Sequence, residues 1–383
     1  KTILTPNVDR MAKEGLRFTD CYSGDTVCAS ARSTLMTGLH KGHTPVRGNS
    51  GGIPLFPEDV TVAEVLKKAG YVTGGFGKWG LGNQGKDGAA ERQGFDLFYG
   101  YYNQWHAHTY YTHLFRNSKK VELNGRYTHH AIYDETIKFI KDNKDEPFFL
   151  YCPWTPPHAA YQIPEDEPAW QIYKDKPWGK DAKVAAAMDT MMDRQVGEIT
   201  ALLKKLGIYE NTLMFFTSDN GAAKRFDGVH NSCGVMQGHK RSLNEGGIRV
   251  PMIASWPNKI QFESKTNHIS GFQDVMPTLY DLIGASPSSH HDGVSFLPIL
   301  LGRDQSNHHE YLYWEFHERS GARAVRFGNW KAIQLNLKQL DQRTGIELYN
   351  LSQDEGEQDN IASRHPAIVR QAADYFAAAH TPS

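Results

Sequence analysis

The sequence predicts an α/β fold in which helices cover a mainly parallel sheet, followed by a smaller C-terminal α+β domain. Helix and strand signals alternate through the first two-thirds of the 383 residues, a pattern typical of such sheets. After about residue 305 the pattern changes to short, closely spaced strands and one last helix. We therefore predict a large domain over residues 1–305 and a small one over residues 306–383.

The helices and strands of the large domain are predicted from the spacing of apolar residues and from residues typical of helix starts and ends. Thr5-Pro6 has the cap-then-proline pattern of a helix start, and this helix runs to about Gly15. A capping box between Thr61 and Glu64 opens a second helix, which ends at Gly70. Apolar residues at helical spacing predict a long amphipathic helix through residues 188–206. The remaining predicted elements are strands over 16–21, 71–76, 147–152 and 212–218 and a helix over 131–142.

The small domain is predicted from four short strand patterns and a terminal helix. The strands cover residues 311–316, 322–327, 330–334 and 347–351, and the helix covers residues 366–380. Their close spacing favours an antiparallel sheet, which we expect to pack on the large domain.

Composition excludes several classes of function. The formal net charge is -1, which argues against nucleic acid or an acidic membrane as the main partner. No apolar run approaches the roughly 18 residues of a membrane helix, so we expect no membrane span. The four cysteines lack metal-type spacing, and we interpret at least two as isolated buried thiols.

Polar motifs follow three predicted strands at the point where each strand ends. Lys78, His158 and Asp219 stand in these segments. Ligands of open α/β sheets bind beyond the carboxyl ends of the strands. We therefore expect the three side chains to converge on one site.

Five motifs carry a family resemblance. They are Val-Cys-Ala-Ser-Ala-Arg-Ser-Thr-Leu-Met-Thr-Gly at 27–38, Gly-Lys-Trp-Gly-Leu-Gly at 77–82, Pro-His at 157–158, Ser-Asp-Asn-Gly at 218–221 and His-Lys-Arg-Ser-Leu-Asn-Glu-Gly-Gly-Ile-Arg-Val-Pro at 239–251. In this order they resemble the type I sulfatases, formylglycine-dependent enzymes of the alkaline-phosphatase-like superfamily, over nearly the whole chain. Three positions depart from the family pattern. Ser30 stands for the usual Pro or Ala, Ala31 for the usual Ser, and Gly80 for a frequent His.

The resemblance implies a nucleophile and its cofactors. Cys28 would be oxidised to formylglycine by a formylglycine-generating or anaerobic sulfatase-maturating enzyme. Once hydrated, it offers one hydroxyl to attack sulfur and a second to expel the sulfate, whereas a serine would stay sulfated. Calcium would be bound by Asp219, Asn220 and the modified residue 28.

The resemblance also implies the residues that handle the sulfate group. Lys78, His158 and Lys240 would bind the sulfate or protonate the leaving oxygen. Arg32, one helical turn after Cys28, would position the nucleophile and offset its charge.

The substrate is predicted from aromatic and histidine-rich segments. Trp105, His106 and His108 lie in a predicted loop, and His317 and Arg319 lie at the first strand of the small domain. These residues could line a sugar pocket at the domain junction, and aromatic packing between the domains is an equally good interpretation. We expect a sulfated galactose or N-acetylgalactosamine unit as substrate.

The sequence is also compatible with two other functions. One is a phosphatase or phosphodiesterase of the same superfamily, although such sites generally use Ser or Thr and two metal ions. The other is a degenerate sulfatase that only binds sulfated glycans.

The resemblance further implies a segment ahead of the first residues. In the family a strand ending in an Asp-Asp pair, which binds the metal, precedes the helix that begins here at Thr5-Pro6. We therefore expect an N-terminal extension with a secretion signal, this strand and its two carboxylates. A periplasmic or secreted location follows from that expectation.

Overall fold

The computed structural model describes residues 2–49 and 53–382 of the chain, and the statements below concern these residues. The helices are α1 (Pro6–Lys13), α2 (Cys28–Thr37), α3 (Val62–Lys68), α4 (Thr128–Asp142), α5 (Pro168–Tyr173), α6 (Lys180–Lys205), α7 (Glu245–Ile248), α8 (Val275–Ile283), α9 (Leu297–Leu300) and α10 (Pro366–Ala379). The strands are β1 (Leu16–Phe18), β2 (Cys21–Tyr22), β3 (Val72–Lys78), β4 (Leu97–Tyr101), β5 (Leu114–Arg116), β6 (Lys119–Val121), β7 (Phe148–Tyr151), β8 (Met214–Thr217), β9 (Met252–Ser255), β10 (Ser264–Thr266), β11 (Ser270–Gly271), β12 (Leu312–Phe316), β13 (Ala322–Phe327), β14 (Trp330–Leu335) and β15 (Glu347–Asn350).

The large sheet region is mixed and has a parallel centre. One sheet has the order β6-β5-β4-β3-β7, in which β3 runs parallel to both β4 and β7. A second has the order β10-β1-β9-β8, in which β1 is parallel to β10 and antiparallel to β9. The helices α3 and α4 pack on β3, and α1 packs on β9. The predicted α/β architecture is therefore confirmed.

Strands of both sheets line a cavity of about 1890 Å³. Among the described residues, β7 pairs only with β3 and β8 pairs only with β9, so each strand has one open edge. Phe148 and Leu150 of β7, and Met214 and Phe216 of β8, line the cavity. These open edges are where an additional strand would pair. The expected N-terminal strand stays a prediction.

Most predicted elements lie within a few residues of the observed ones. The Thr61 capping box is present: Glu64 N donates to Thr61 Oγ1 at 3.2 Å, and Thr61 N donates to Glu64 Oε2 at 2.8 Å. The predicted strand over 16–21 is wrong as a single element, because β1 and β2 pair with different strands. The strand β4 was not predicted. Its side chains are buried on both faces, so it lacks the alternation of a half-buried strand.

The C-terminal sheet is antiparallel in the order β12-β13-β14-β15, as predicted. On one face, Phe376 of α10 packs against Val325. On the other face, Trp314 shares an apolar cluster with Tyr22 and Val27, which lie just ahead of α2. The Trp314 indole also donates to the Ser23 carbonyl at 2.9 Å. This packing joins the C-terminal sheet to the start of α2, and the domain boundary at 305 stays a prediction.

Candidate active site

Five charged or nucleophilic side chains meet beyond the ends of β3 and β8. We call them the strand-end cluster: Cys28, Arg32, Lys78, Asp219 and Lys240. Cys28 is the first residue of α2, Lys78 is the last residue of β3, and Asp219 comes two residues after β8. Lys240 lies in the loop ahead of α7, and its Nζ is 3.4 Å from Cys28 Sγ. Lys78 and Asp219, two of the three side chains expected to converge at the strand ends, thus lie in one cluster.

Arg32 binds Asp219 rather than the nucleophile position. Its Nε and Nη2 both lie 2.9 Å from Asp219 Oδ2, and its Nη1 donates to the Lys78 carbonyl. Burial raises the pKa of the Asp219 carboxyl, but Arg32, Lys240 and Lys78 outweigh it and bring this pKa to about 2. Arg32 thus joins α2, β3 and the segment after β8, and its positioning of residue 28 is indirect.

Lys78 is a buried ammonium without a counter-ion of its own. Its side chain is 1 % exposed, and Nζ has no hydrogen-bond partner among the described residues. Burial lowers the pKa of Lys78 to about 8. An unpaired buried charge is costly, and buried polar groups are nearly always satisfied in folded proteins. The ammonium therefore indicates a site for an anion.

Cys28 lies at the positive end of a helix and among cations. Its Sγ is 3.6 Å from Asn220 Oδ1, and the next backbone N–H, that of Ala29, donates to Asn49 Oδ1 at 2.9 Å. Burial is the largest influence on the Cys28 pKa and raises it, as Asp219 does. Lys78, Lys240 and Arg32 nevertheless hold this pKa below its ordinary value. The position favours a negatively charged group.

His158 lies on the segment that follows β7, stacked on His108. The two ring centroids are 4.0 Å apart at an interplanar angle of 11°. Burial, and then the charges of Lys240 and Lys78, lower the pKa of His158 to about 3, so the ring is neutral near pH 7. His158 Nδ1 lies 3.0 Å from the Ala159 carbonyl, to which it donates, leaving Nε2 available to a ligand.

The donor set for calcium is small. Asp219 and Asn220 place one carboxylate and one amide oxygen beside Cys28, whereas calcium takes about six to eight oxygen ligands. Asp219 also shares its Oδ2 with Arg32. The described residues do not complete a calcium site.

Gln104 occupies the space beside Gly80. The family pattern frequently has a histidine at the position of Gly80. Gly80 has a φ of +79°, and a side chain built on it would collide with the Gln104 amide. Gln104, which sequence reasoning did not single out, therefore fills this part of the cavity wall.

The residues predicted to bind a sugar separate into two groups. Trp105 and His108 line the cavity, and the Trp105 side chain is 76 % exposed. His106 instead packs on His113, with ring centroids 4.2 Å apart, and its Nε2 lies 3.2 Å from Thr112 Oγ1. His106 is therefore held at the loop base rather than at the cavity.

His317 and Arg319 also lie away from the cavity lining. His317 Nε2 is 2.8 Å from Glu315 Oε1, and Arg319 lies exposed at a turn with a φ of +57°. The residue between them, Glu318, is also outside the cavity lining and forms an ion pair with Arg241, which lines the cavity. A sugar-binding role for His317 and Arg319 stays a prediction.

The loop that carries Lys240 is anchored to the C-terminal sheet through Glu245. Glu245 Oε1 lies 2.9 Å from Lys331 Nζ of β14, and Oε2 accepts from the Tyr22 hydroxyl at 2.6 Å. Glu245 and Lys331 are completely buried. We call the surrounding charges the junction cluster: Asp20, Glu245, Arg249, Arg326, Lys331 and Glu357.

Comparison with family models gives two overlapping matches. Residues 1–285 match the model described as sulfatase, and residues 237–373 match the model of the N-sulphoglucosamine sulphohydrolase C-terminal region. The overlap contains Lys240 and two residues of the junction cluster, Glu245 and Arg249.

Curated relatives are similar over most of this chain. The arylsulfatase of Hemicentrotus pulcherrimus is 31% identical over 85% of this chain and 62% of its own length. Human arylsulfatase A is 29% identical over 93% of this chain and 78% of its own length. The N-acetylgalactosamine-6-sulfatase of Canis lupus familiaris is 30% identical over 86% of this chain and 66% of its own length. The chain thus spans about two-thirds of the length of these relatives.

Solved structures share the fold. The crystal structure of Ps i-CgsB, also solved in complex with k-i-k-neocarrahexaose, has a TM-score of 0.85 and 28% identity, covering 98% of this chain and 87% of that one. The PsFucS1 sulfatase from Pseudoalteromonas sp. has a TM-score of 0.77 and 25% identity, covering 98% and 84%. The phosphonate monoester hydrolase of Agrobacterium radiobacter, at 20% identity and a TM-score of 0.73, covers 99% of this chain and 91% of that one and shares the fold alone.

Proposed function

Because this chain belongs to the sulfatase family of sulfuric ester hydrolases, we propose that it hydrolyses sulfate monoesters of a saccharide, with residue 28 as the nucleophile. The observation that carries the proposal is the surplus of positive charge around Cys28. Arg32 is paired with Asp219, whereas Lys78 and Lys240 have no carboxylate partner in the strand-end cluster. A sulfate ester is an anion that these two ammonium groups would hold.

The nucleophile in this proposal is formylglycine made from Cys28. In its hydrated form it supplies one hydroxyl for attack on sulfur and a second for expulsion of the sulfate. The surroundings of residue 28 suit hydrated formylglycine, since residue 28 is the first residue of α2 and lies beside Lys240 and Asn220. A formylglycine-generating or anaerobic sulfatase-maturating enzyme is the proposed partner for this conversion.

The remaining side chains stabilise charge and position the substrate. Lys240 and Lys78 bind sulfate oxygens on which charge increases during transfer. His158 presents Nε2 to the leaving oxygen, and its stacking on His108 fixes the ring plane. A bound sulfate would offset the two lysine charges that now disfavour a protonated His158 ring. The ring could then donate a proton to the departing alcohol.

This chain would supply only part of the ligand set of a calcium ion. Asp219 and Asn220 are the side chains of this chain that would contribute oxygens to it. Further carboxylates would be needed, and the Asp-Asp pair implied by family resemblance stays a prediction.

For the substrate we propose a sulfated galactose or N-acetylgalactosamine unit. A relative named N-acetylgalactosamine-6-sulfatase and a neighbour solved with k-i-k-neocarrahexaose support this class. Trp105, largely exposed at the cavity mouth, offers an aromatic face on which a sugar ring can stack. We propose a periplasmic or secreted location, and among the described residues no helix is long and apolar enough to cross a membrane.

The test combines peptide mass and turnover. Protein made together with a maturating enzyme should show residue 28 as formylglycine, while the Cys233 peptide keeps its thiol. It should release sulfate from at least one member of a panel of galactose and N-acetylgalactosamine sulfates. Protein made without the maturating enzyme is the matched control and should be inactive. Full conversion without release of sulfate from any sugar or aryl sulfate would contradict the proposed function.

A further inference from the structure

We propose that Asn49, Arg241 and Glu318 form a clamp for neighbouring hydroxyl groups of the sugar ring, and that Glu318 determines the preference for sugar over aryl sulfates. The inference rests on the proposed function and extends it to the alcohol side of the ester. We call these three residues the hydroxyl clamp.

The hydroxyl clamp lies next to the nucleophile on two sides. Arg241 directly follows Lys240, whose Nζ is 3.4 Å from Cys28 Sγ. Asn49 Oδ1 accepts from the backbone N–H of Ala29, the residue after Cys28, at 2.9 Å. Asn49 and Arg241 both line the cavity that contains Cys28, Trp105 and His158. The hydroxyl clamp therefore adjoins the segments that carry residue 28 and Lys240.

The hydroxyl clamp is fixed before any substrate binds. Arg241 has a φ of +76°, a conformation that is costly for a residue with a side chain. Its N–H bonds both the hydroxyl and the carbonyl of Thr26, at 2.7 and 3.2 Å. Its Nη1 forms an ion pair with Glu318 Oε2, and Glu318 Oε1 accepts from the Asn49 N–H at 3.3 Å. These bonds hold the guanidinium and the carboxylate in one arrangement.

Both charged groups keep capacity for a ligand. The Arg241 side chain lines the cavity and is 35% exposed, and that of Glu318, paired with it, is 20% exposed. A guanidinium has five N–H donors, and a carboxylate accepts at about four lone-pair sites. Neighbouring ring hydroxyls each donate and accept one or more bonds, so they match a fixed donor beside a fixed acceptor. An aryl sulfate offers no such pair, and sites built for hydroxyl groups discriminate against analogues that lack them.

The hydroxyl clamp crosses the contact between the two parts of the chain. Glu318 follows β12 of the C-terminal sheet, whereas Arg241 lies in the loop ahead of α7. Sugar preference would therefore depend on how the C-terminal sheet sits against the loop that carries Lys240.

The kinetic test compares two substrates in one variant. Glu318→Gln keeps the side-chain size and the acceptor for Asn49 while removing the charge. We expect kcat/KM for the best sulfated sugar of the panel to fall about 10- to 100-fold, mainly through KM, as for loss of a hydrogen bond to a charged group. We expect kcat/KM for 4-nitrophenyl sulfate to stay unchanged. Glu210→Gln, at an exposed position, is the matched control.

A binding test separates this inference from the proposed function. In a Cys28→Ser background, Glu318→Gln should weaken binding of the sulfated sugar by the same factor and leave the affinity for inorganic sulfate unchanged. An equal loss of affinity for the sulfated sugar and for inorganic sulfate would overturn the hydroxyl clamp, because it would show that Glu318 acts through Lys240. An equal loss of kcat/KM for the sulfated sugar and for 4-nitrophenyl sulfate would overturn it for the same reason. Absence of turnover with every substrate would contradict the proposed function, and the binding result would still decide on the hydroxyl clamp.

Discussion

Two groups of buried and half-buried charges in this protein differ in charge balance. The junction cluster has three cations, Arg249, Arg326 and Lys331, and three carboxylates, Asp20, Glu245 and Glu357. The strand-end cluster has the cations Arg32, Lys78 and Lys240 and the carboxylate of Asp219.

The balance of the junction cluster is visible in its contacts. Lys331 Nζ lies 2.9 Å from Glu245 and 3.5 Å from Glu357, and Arg326 lies 2.9 Å from Asp20. The Glu245 backbone N–H also donates to Glu357 at 2.7 Å. Each charge meets a partner inside the protein, as structural ion networks require.

The strand-end cluster leaves two ammonium groups without a carboxylate. Lys78 has no hydrogen-bond partner among the described residues, and Lys240 contacts Cys28. This surplus of ammonium groups does not stabilise the fold, because an unpaired buried charge costs free energy. Charge balance, more than burial or the presence of charges, thus separates a structural network from a ligand site.

The largest effect is expected at the nucleophile. Cys28→Ser should keep the fold and lose turnover by on the order of 10³-fold or more, because serine cannot form the second hydroxyl needed to expel the sulfate. Cys233→Ser, whose thiol is half-buried, is the control and should retain activity. Steady-state release of sulfate measures both variants, and normal turnover in Cys28→Ser would exclude formylglycine chemistry.

In the balanced junction cluster, a substitution should act on stability. Lys331→Met leaves two buried carboxylates without their ammonium partner, and we expect the free energy of unfolding to fall by about 3–5 kcal/mol. Urea denaturation measures this change, with the exposed Lys259→Met as control. A loss below about 1 kcal/mol, the size expected for a surface ion pair, would show that the network is not needed for the fold.

In the unbalanced strand-end cluster, the same type of substitution should act on turnover. Lys78→Met removes an unpaired buried ammonium, so we expect unchanged or increased stability together with a loss of about 10²–10³ in kcat. Denaturation and sulfate release from one preparation provide both values. A marked loss of stability without loss of turnover would reverse the comparison between the two clusters.

The smallest effect concerns the buried ion pair of His309 and Asp274, which can titrate. His309 Nε2 lies 2.6 Å from Asp274 Oδ1. Burial lowers the pKa of His309, but Asp274 outweighs it and raises this pKa above the ordinary value. Stabilisation is therefore complete below the unfolded pKa and is lost as pH rises through the folded pKa, by about 1.4 kcal/mol for each pKa unit. Unfolding free energy measured across this range should decline, and His309→Gln should remove that slope.

The sequence was sufficient for much of the fold because its signals are local. The capping box at Thr61 and the strand ends before Lys78 and Asp219 can be identified from a few neighbouring residues. The same holds for the antiparallel order of the C-terminal strands, which follows from short connections. β4 was missed because burial on both faces removes its alternation.

The contacts that complete the site could not be predicted in this way, because they join distant segments. Arg241 and Glu318 are separated by 77 positions, and Glu245 and Lys331 by 86. Gln104 fills the space beside Gly80 from a different loop.

Binding of inorganic sulfate tests the central claim most directly, namely that the surplus charge beside residue 28 is a sulfate site. Isothermal titration of sulfate into the Cys28→Ser protein should show one site, and Lys78→Met in that background should weaken it about 10- to 100-fold, as for loss of a hydrogen bond to a charged group. Lys331→Met, if folded at the measuring temperature, should leave the affinity nearly unchanged. Equal affinity with and without the Lys78 ammonium would contradict the claim.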